Sequence, residues 1–445
     1  MTTIEVSNFR TEAGMRSESG LFSVRTFNSA SSITKSPGEE SAATLLRLST
    51  VCKASAFSGV VARNNAKQMA SRRRTWADYY RHMATGYVYH EIFGWHDTGT
   101  FVGDMPSDPG AGLQPYQNYE HAETKKRIHE LIVVSGLIDE LTRISPRKAT
   151  DNELATVHTK EHIERIKKES ATRLGGDGGD LTTPFAKGGY EIAAMAAGGA
   201  IELFDAVLSG QVKNGYALIR PPGHHAVRER GMGYCIFSNL AVAIAVAKKL
   251  NPALRVVAVD WDVHHGNGTE SIFIDEKDVL TISLHQDRLY PHDTGDLDVV
   301  GVGTNINIPL PAGTGVGGYY YAFDEVVVPA IRKFKPDIVV VASGFDSAYL
   351  DPLGRMMITA EGYKNLTRKL MDVAEEVCGG KLMMTHEGGY SASYAPFCGL
   401  FVLQELSGVK KLADPFAHGN NYPGQDLQPH QKTIVDKARE LLKNL

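Results

Sequence analysis

Apolar residues follow two rhythms from about residue 83 to the end of the chain. Short, largely apolar runs predict strands, buried on both faces, over residues 217–219, 256–259, 279–284, 338–342 and 382–385. Longer segments with a helical period predict helices over residues 151–168, 190–209, 240–249, 323–334, 360–377 and about 432–445. Alternating strands and helices are typical of an α/β domain with a parallel sheet between helical layers.

The first 82 residues lack this rhythm; they are rich in Ser, Ala and Arg and end near an Arg run at residues 72–74. We predict a poorly ordered N-terminal extension over residues 1–82 and one domain over residues 83–445. The favoured interpretation of the extension is a solvated, disordered segment. An Arg- and Ser-rich leader is also typical of mitochondrial or other organelle targeting, although the glutamates of this leader argue against it, and the Arg run leaves open a nuclear signal.

Composition narrows the function classes. The formal net charge is −4, so no overall basic field favours nucleic acid or anionic lipid, and we expect neither as a direct partner. The apolar run at residues 240–247 is far shorter than the roughly 20 residues that cross a bilayer, so we expect no membrane span. Four cysteines show no CxxC pair, which is typical of free thiols in a reducing compartment and predicts an intracellular location, in cytoplasm or nucleus.

Charged side chains collect at the ends of the predicted strands. In "VDWDVHHGNG", alternate positions of an extended chain place Asp260, Asp262 and His264 on one side, behind which Trp261 packs. Two buried carboxylates repel each other and lose hydration unless a cation lies between them. One imidazole with carboxylates suits Zn²⁺ or Fe²⁺, and Asp346 after the strand at 338–342 is the best third ligand.

Two further strand ends carry polar groups. "IRPPGHHA" presents His224 and His225, for which Asp260 and Asn267 are suitable partners, and an imidazole is the natural base for a metal-bound water. Tyr390 in "HEGGYS" follows two glycines and could donate a hydrogen bond to a developing oxyanion.

Asp351 precedes a Pro and is interpreted as a turn residue. The Gly-rich residues 311–318 lack the GK[ST] ending of a phosphate loop and are interpreted as a loop.

These motifs together resemble a known family. "RPPGHHA", "MGYCIFSN", "DWDVHHGNGT", "SLHQD", "NINIPLPAGTG", "SGFDSAYLDPLG" and "EGGYS" occur in this order, as in class II histone deacetylases. The early segment "GYVYHEIFGWHDTGT" is similar to bacterial histone-deacetylase-like amidohydrolases. The resemblance runs from about residue 83 to 408. It implies a three-layer α/β arginase/deacetylase fold with a central, mostly eight-stranded parallel sheet.

The resemblance implies one zinc ion per chain, held by Asp262, His264 and Asp346. It also implies a structural K⁺ ion, whose charge would help to offset the surplus of carboxylates. The residues implied for K⁺ are Asp260, Asp262, His264, Ser283 and Leu284.

The resemblance gives roles to the remaining polar groups. His225 matches the general base, and His224 is its neighbour, held by Asp260. Asn267 stands where class I members have Asp, so His225 lacks a charged orienting group. Tyr390 matches the tyrosine that stabilises the transition state, where the weakly active class IIa members have His. The substrate-binding residues implied are Gly233, Tyr234, Tyr290, Leu353 and, at the rim, Asp180, with Asp177 as the alternative rim residue.

The resulting prediction is zinc-dependent hydrolysis of N-acyl amides, foremost deacetylation of N-acetyl-lysine in proteins. The expected partners are acylated lysine side chains or small acylated amines, and a homo-oligomer is left open. An acetylpolyamine amidohydrolase of the same fold is the main alternative, although Leu353 follows the lysine-deacetylase pattern. An arginase-like enzyme with two Mn²⁺ ions would need ligands where His224, His225 and Asn267 stand. A non-catalytic acyl-lysine-binding scaffold predicts a damaged ligand set, and none is damaged.

Overall fold

Eight parallel strands form the central sheet. The computed structural model describes residues 84–102 and 105–445, so the predicted extension over residues 1–82 lies outside the described residues. The strands are β1 (Thr85–Val88), β2 (Leu141–Arg143), β3 (Asn214–Ala217), β4 (Val256–Asp260), β5 (Val279–Gln286), β6 (Asn305–Leu310), β7 (Ile338–Ser343) and β8 (Leu382–His386). Their order is β6-β5-β4-β7-β8-β3-β1-β2. The expected eight-stranded sheet is confirmed, and every neighbouring pair is parallel.

Helices surround this sheet. They are α1 (Glu123–Val134), α2 (Asp151–Leu154), α3 (Lys160–Ser170), α4 (Gly189–Leu208), α5 (Asn239–Leu250), α6 (Asn267–Phe273), α7 (Val316–Ala322), α8 (Val328–Phe334), α9 (Ala360–Cys378), α10 (Ala395–Ser407) and α11 (Pro429–Arg439). A π-helical turn, Phe323–Val327, joins α7 to α8, and a 3-10 turn, Glu440–Asn444, follows α11. None of the helices within the described ranges combines the length and apolarity that crossing a bilayer requires.

Some predicted elements are corrected by the structure. The single helix expected over residues 151–168 is broken into α2 and α3, because Thr150 and Thr159 each cap a new helix through their side-chain oxygens. The strand expected over residues 217–219 is β3, which ends at Ala217. The Gly-rich segment 311–318 is a loop only up to residue 315, since α7 begins at Val316.

The strand ends position the polar groups. Parallel strands end at the same edge, so the loops after β3, β4, β7 and β8 lie side by side there. Core residues such as Trp261 and Phe345, both fully buried, fix the backbone of two of these loops. Functional side chains projecting from such loops therefore have a rigid base.

Candidate active site

Two carboxylates and an imidazole meet at the carboxyl edge of the sheet. Asp262 and His264 follow β4, and Asp346 follows the adjacent strand β7. The Nδ1 atom of His264 lies 3.0 Å from Oδ1 of Asp262 and 3.1 Å from Oδ2 of Asp346. All three residues are buried, and their ligand-type atoms lie within 4.8 Å of one another. The prediction that these residues converge is confirmed.

The electrostatics of this group favour a bound cation. Burial, and then the charge of Asp262, raises the pKa of Asp346 to about 7. Two buried carboxylates are costly without a countercharge. One imidazole nitrogen and two carboxylate oxygens are a donor set that suits zinc, and three protein ligands are typical of catalytic zinc sites. The residues present therefore fit such an ion.

A second buried group brings His224, Cys235 and Glu387 together, with ligand-type atoms also within 4.8 Å. The carboxylate oxygen Oε2 of Glu387 accepts the backbone amides of Gly223 and His224 at 2.6 and 3.0 Å. The thiol sulfur of Cys235 accepts the backbone amide of His225 at 3.4 Å. These bonds hold the backbone of the turn that presents the two histidines, so we interpret this group as structural.

The two adjacent histidines have different partners. Nδ1 of His224 lies 2.9 Å from Oδ2 of Asp260, and Nδ1 of His225 lies 2.8 Å from Oδ1 of Asn267, as the sequence predicted. Although burial disfavours a charged ring, the neighbouring aspartates raise the pKa of His224 to about 10. Burial and the neighbouring imidazoles lower the pKa of His225 well below its ordinary value. A neutral His225 donates from Nδ1 to Asn267 and keeps Nε2 as an acceptor.

Tyr390 reaches the same region from the loop after β8. Gly389, just before it, has a φ of +122°, a backbone conformation that favours glycine. The backbone amide of Tyr390 donates to Oδ2 of Asp351 at 2.7 Å. The other oxygen of Asp351 accepts two amides of its own turn, at 2.9 and 3.2 Å. Asp351 is therefore the turn residue that the sequence predicted, and it also anchors Tyr390, which the sequence did not indicate.

A cavity of about 170 Å³ leads to His264. The ring of Tyr290 stands perpendicular to that of His225, with ring centroids 5.0 Å apart. The ring of Tyr234 packs edge-on against that of Tyr390, with centroids 6.0 Å apart. The two predicted wall residues thus contact the predicted base and oxyanion donor. The lining residues are Thr182, His225, Gly233, Tyr234, His264, Leu289, Tyr290, His292, Leu353 and Tyr390.

The backbone at one wall is unusual. Gly233 and Tyr234 both lie in the left-handed region, with φ values of 55° and 68°. A Cβ atom at position 233 would lie 2.5 Å from the ring of His225, so only glycine fits. Left-handed backbone in a non-glycine residue stores strain and is common at functional sites.

The rim residues hold the walls in place. Oδ2 of Asp180 accepts the backbone amide of Gly233 at 2.8 Å and the hydroxyl of Thr182 at 2.6 Å. The same oxygen lies 3.4 Å from the hydroxyl of Tyr290. Asp177 has both oxygens occupied by backbone amides of its own loop. Asp180, expected to bind the substrate backbone, therefore also connects the two walls of the cavity.

The residues implied for potassium are divided between two places. Asp260 and Ser283, paired across β4 and β5, line a small cavity separate from the one that reaches His264, and Leu284 follows on β5. The side chains of Asp262 and His264 are directed at each other, in the cluster that they form with Asp346. These two residues could therefore bind a potassium ion only through other atoms.

Two glycines leave space for the carboxylates of Asp262 and Asp346. A Cβ atom at Gly344 would lie 2.0 Å from Oδ2 of Asp262, and one at Gly388 would lie 2.1 Å from Oδ2 of Asp346. The amide of Gly388 donates to Oδ2 of Asp262 at 2.9 Å. Sequence reasoning noted only that two glycines precede Tyr390, and it missed the lining residues Thr182, Leu289 and His292. Leu289 and His292 flank Tyr290, and Thr182 follows Asp180, so proximity to a predicted residue was the available signal.

Comparison with known proteins places this geometry in a family. Residues 118–404 match the family model described as "Histone deacetylase domain". The chain belongs to the histone deacetylase family. As a member, it is 43% identical over 339 residues to a "Histone deacetylase-like amidohydrolase" of Pseudomonas aeruginosa, covering 74% of this chain and 88% of that relative. It is 35% identical over 338 residues to "Histone deacetylase 8" of Arabidopsis thaliana, with the same two coverages, 74% and 88%.

A solved structure is also similar to this histone deacetylase family member. The "Crystal Structure of HDA15 HD domain" superimposes with a TM-score of 0.69 at 32% identity, covering 81% of this chain and 96% of that one. The predicted arginase/deacetylase-type fold is thereby confirmed. Enzymes of this family are hydrolases acting on amide bonds, so the chain is a deacetylase-type amidohydrolase.

Proposed function

We propose that the protein hydrolyses N-acyl amides with one zinc ion, and that its substrates are N-acetyl-lysine side chains of proteins. The convergence of His264, Asp262 and Asp346 at the base of the cavity carries this proposal. A zinc ion held by these residues would supply a Lewis acid that polarises the acyl carbonyl and acidifies a water molecule. Asp260 and Ser283, two of the five residues that the resemblance implies for potassium, line a separate small cavity and would hold that ion there.

The chain's own residues would supply the proton transfers. His225 accepts the proton of the attacking water at Nε2, because its Nδ1 atom is already engaged with Asn267. The hydroxyl of Tyr390 donates a hydrogen bond to the tetrahedral oxyanion. His225, or the charged neighbour His224, then protonates the leaving amine, which releases lysine and acetate.

The cavity supports an extended aliphatic substrate. Tyr234, Tyr290 and Leu353 line it with apolar surface, and a long CH₂ chain gains stabilisation from such walls. The acyl group would then lie at the base, next to His264, with the amide between His225 and Tyr390.

The test is a hydrolysis assay on acetyl-lysine peptides and acetylspermidine, with and without a chelator. We expect release of acetate from the peptides, loss of activity with the chelator and recovery on addition of Zn²⁺. Replacing Tyr390→Phe is expected to lower kcat by about 10²-fold or more, since one oxyanion donor is lost. Preference for acetylspermidine would overturn the substrate, and zinc binding without hydrolysis of any acyl amide would overturn the activity.

A further inference from the structure

Three charged side chains, those of Lys125, Glu120 and Arg220, form a buried cluster that contacts Tyr390. Nζ of Lys125, on α1, lies 2.7 Å from Oε2 of Glu120, and Oε1 of Glu120 lies 2.8 Å from Nε of Arg220. Their side-chain exposures are 3%, 0% and 1%, so water does not screen these charges. Two cations and one anion leave a surplus positive charge inside the protein.

The ammonium of Lys125 lies against the ring of Tyr390. Nζ of Lys125 is 5.3 Å from the ring centroid, within the range of a cation–π contact. The edge-on ring of Tyr234 and the bond from the Tyr390 amide to Asp351 hold the tyrosine from other directions. The ammonium and the ring are therefore both fixed, and their contact is buried.

We propose that Lys125 is a positioning residue for catalysis, which fixes the ring of Tyr390 and strengthens its hydroxyl as a hydrogen-bond donor to the oxyanion. The proposal rests on the proposed function, since it assigns Lys125 to the same step. A cation on the face of a phenol withdraws electron density from the ring, and this makes the O–H group more acidic. The effect is largest where negative charge develops, in the transition state, and small for the uncharged substrate.

Glu120 and Arg220 hold Lys125 in its position next to Tyr390. Glu120 holds the ammonium in place, and burial would make that carboxylate costly if Arg220 did not also pair with it. The guanidinium of Arg220 in turn donates to the backbone carbonyls of Phe93 and Glu120 at 3.1 and 2.8 Å. The backbone after β1 thereby fixes the lysine relative to the tyrosine.

The primary experiment measures kcat and KM for an acetyl-lysine peptide with the full chain and its variants. Lys125→Met keeps the length of the side chain and removes its charge. We expect kcat to fall about tenfold, equivalent to about 1.4 kcal/mol, with little change in KM. Lys125→Arg is expected to restore most of kcat, because it returns a cation to the ring face.

A control with the same contact geometry lies on the protein surface, far less buried than Lys125. Lys432 also places Nζ over a tyrosine ring, 5.1 Å from the centroid of Tyr321, and pairs with a carboxylate, Asp436, at 2.7 Å. Lys432→Met is expected to leave kcat and KM unchanged. A tenfold loss in this variant as well would show that the assay responds to any lost lysine–tyrosine contact, and would overturn the proposal.

A double-mutant comparison separates positioning from general stability. If Lys125 acts through the phenol hydroxyl, then in the Tyr390→Phe background Lys125→Met should change the residual rate by less than twofold. A full tenfold loss in that background would mean that Lys125 does not act through this hydroxyl. Unchanged kcat in Lys125→Met itself would overturn the proposal, while the activity of the unaltered protein would leave the proposed function standing.

Folding is monitored independently of activity by urea unfolding and by bound zinc. Should Lys125→Met unfold because Glu120 loses a partner, Lys125→Gln replaces it, since the side-chain amide is uncharged but can still donate to Glu120, which stays paired with Arg220. This variant should bind zinc like the unaltered protein and show the same tenfold loss in kcat. Normal kcat in the folded Lys125→Gln variant would refute the role of Lys125.

Discussion

Nδ1 of His225 donates to the side-chain oxygen of Asn267 at 2.8 Å, so an uncharged amide orients the predicted catalytic base. The bond fixes which ring nitrogen faces the cavity without adding negative charge. Burial and the neighbouring imidazoles can therefore hold the pKa of His225 well below its ordinary value.

Asn267→Asp should change the pH profile. A carboxylate beside His225 raises the pKa of the imidazole, typically by 1 unit or more at this range. Because the base works in its neutral form, the acidic limb of the kcat/KM profile should move to higher pH by about 1 unit or more. The measurement is kcat/KM from pH 9 down to the lowest pH at which the protein still binds zinc, because the acidic limb of the unaltered protein is expected well below pH 6.5. An unmoved acidic limb would show that His225 is not the group that titrates.

Asp346→Asn should remove the metal. The variant keeps the shape of the side chain but replaces one of the two carboxylates that face Nδ1 of His264. Loss of a group that merely orients a metal ligand costs roughly 10- to 100-fold in affinity, and loss of a ligand should cost more. Zinc per chain, measured by mass spectrometry after dialysis, should fall to near zero, while Asp426→Asn on the surface should retain it. Full zinc content in Asp346→Asn would exclude this residue as a ligand.

Gly388→Ala tests the space around the carboxylates of Asp346 and Asp262. The added methyl would lie 2.1 Å from Oδ2 of Asp346 and 2.8 Å from Oδ2 of Asp262, so at least one carboxylate must move. We expect zinc affinity and kcat to fall together by 10-fold or more. Gly94→Ala is the control, because its methyl would meet only a flexible lysine side chain at 3.4 Å. Equal zinc affinity in the two variants would contradict the steric argument.

Asp180→Asn tests the rim. An amide can keep one hydrogen bond but loses the charge that holds the amide of Gly233 and the hydroxyl of Thr182. Charged hydrogen bonds contribute about 1.5–3 kcal/mol, so the walls should become less ordered. We expect KM for an acetyl-lysine peptide to rise by roughly 10-fold or more, with a smaller change in kcat. A fall confined to kcat would place Asp180 in the chemistry instead.

His158 should make stability depend on pH. Its ring is bonded on both sides, to the carbonyl of Val227 at 3.0 Å and from the amide of Ser238 at 2.9 Å. Burial, followed by the nearby His162, lowers the pKa of His158 to about 3. Between pH of about 6.5 and 3 the unfolded chain therefore binds a proton that the folded protein excludes. The free energy of unfolding consequently decreases by up to ~1.4 kcal/mol for each unit by which the pH is lowered.

His158→Gln removes this proton site. Urea unfolding at pH 7, 6 and 5 should give a flatter dependence than in the unaltered protein, with lower stability at pH 7 from the lost buried hydrogen bonds. An identical slope would show that another group sets the acid sensitivity.

The sequence predicted the site better than it predicted the elements around it. Asp262, His264 and Asp346 could be placed together because strand periodicity and the shared edge of a parallel sheet constrain them. β1 was not predicted from the sequence because its four residues, one of them a glycine, are too few to show a strand periodicity. The helix break before Thr159 was not predicted because the amphipathic pattern continues across the break. The burial of Lys125 and Glu120 could not be predicted, since their partner Arg220 is 100 positions from Glu120 and only the fold brings them into contact.

The proposed zinc ligands follow two strands in the middle of the sheet, β4 and β7, which are paired in the register Val341 with Val259. A slip of one residue between them would turn every side chain on one strand to the opposite face. Asp346 and Asp262 would then no longer meet. The zinc content that we expect of the native protein is therefore a readout of correct strand pairing, so misfolded chains should be separable from native ones by their metal content alone.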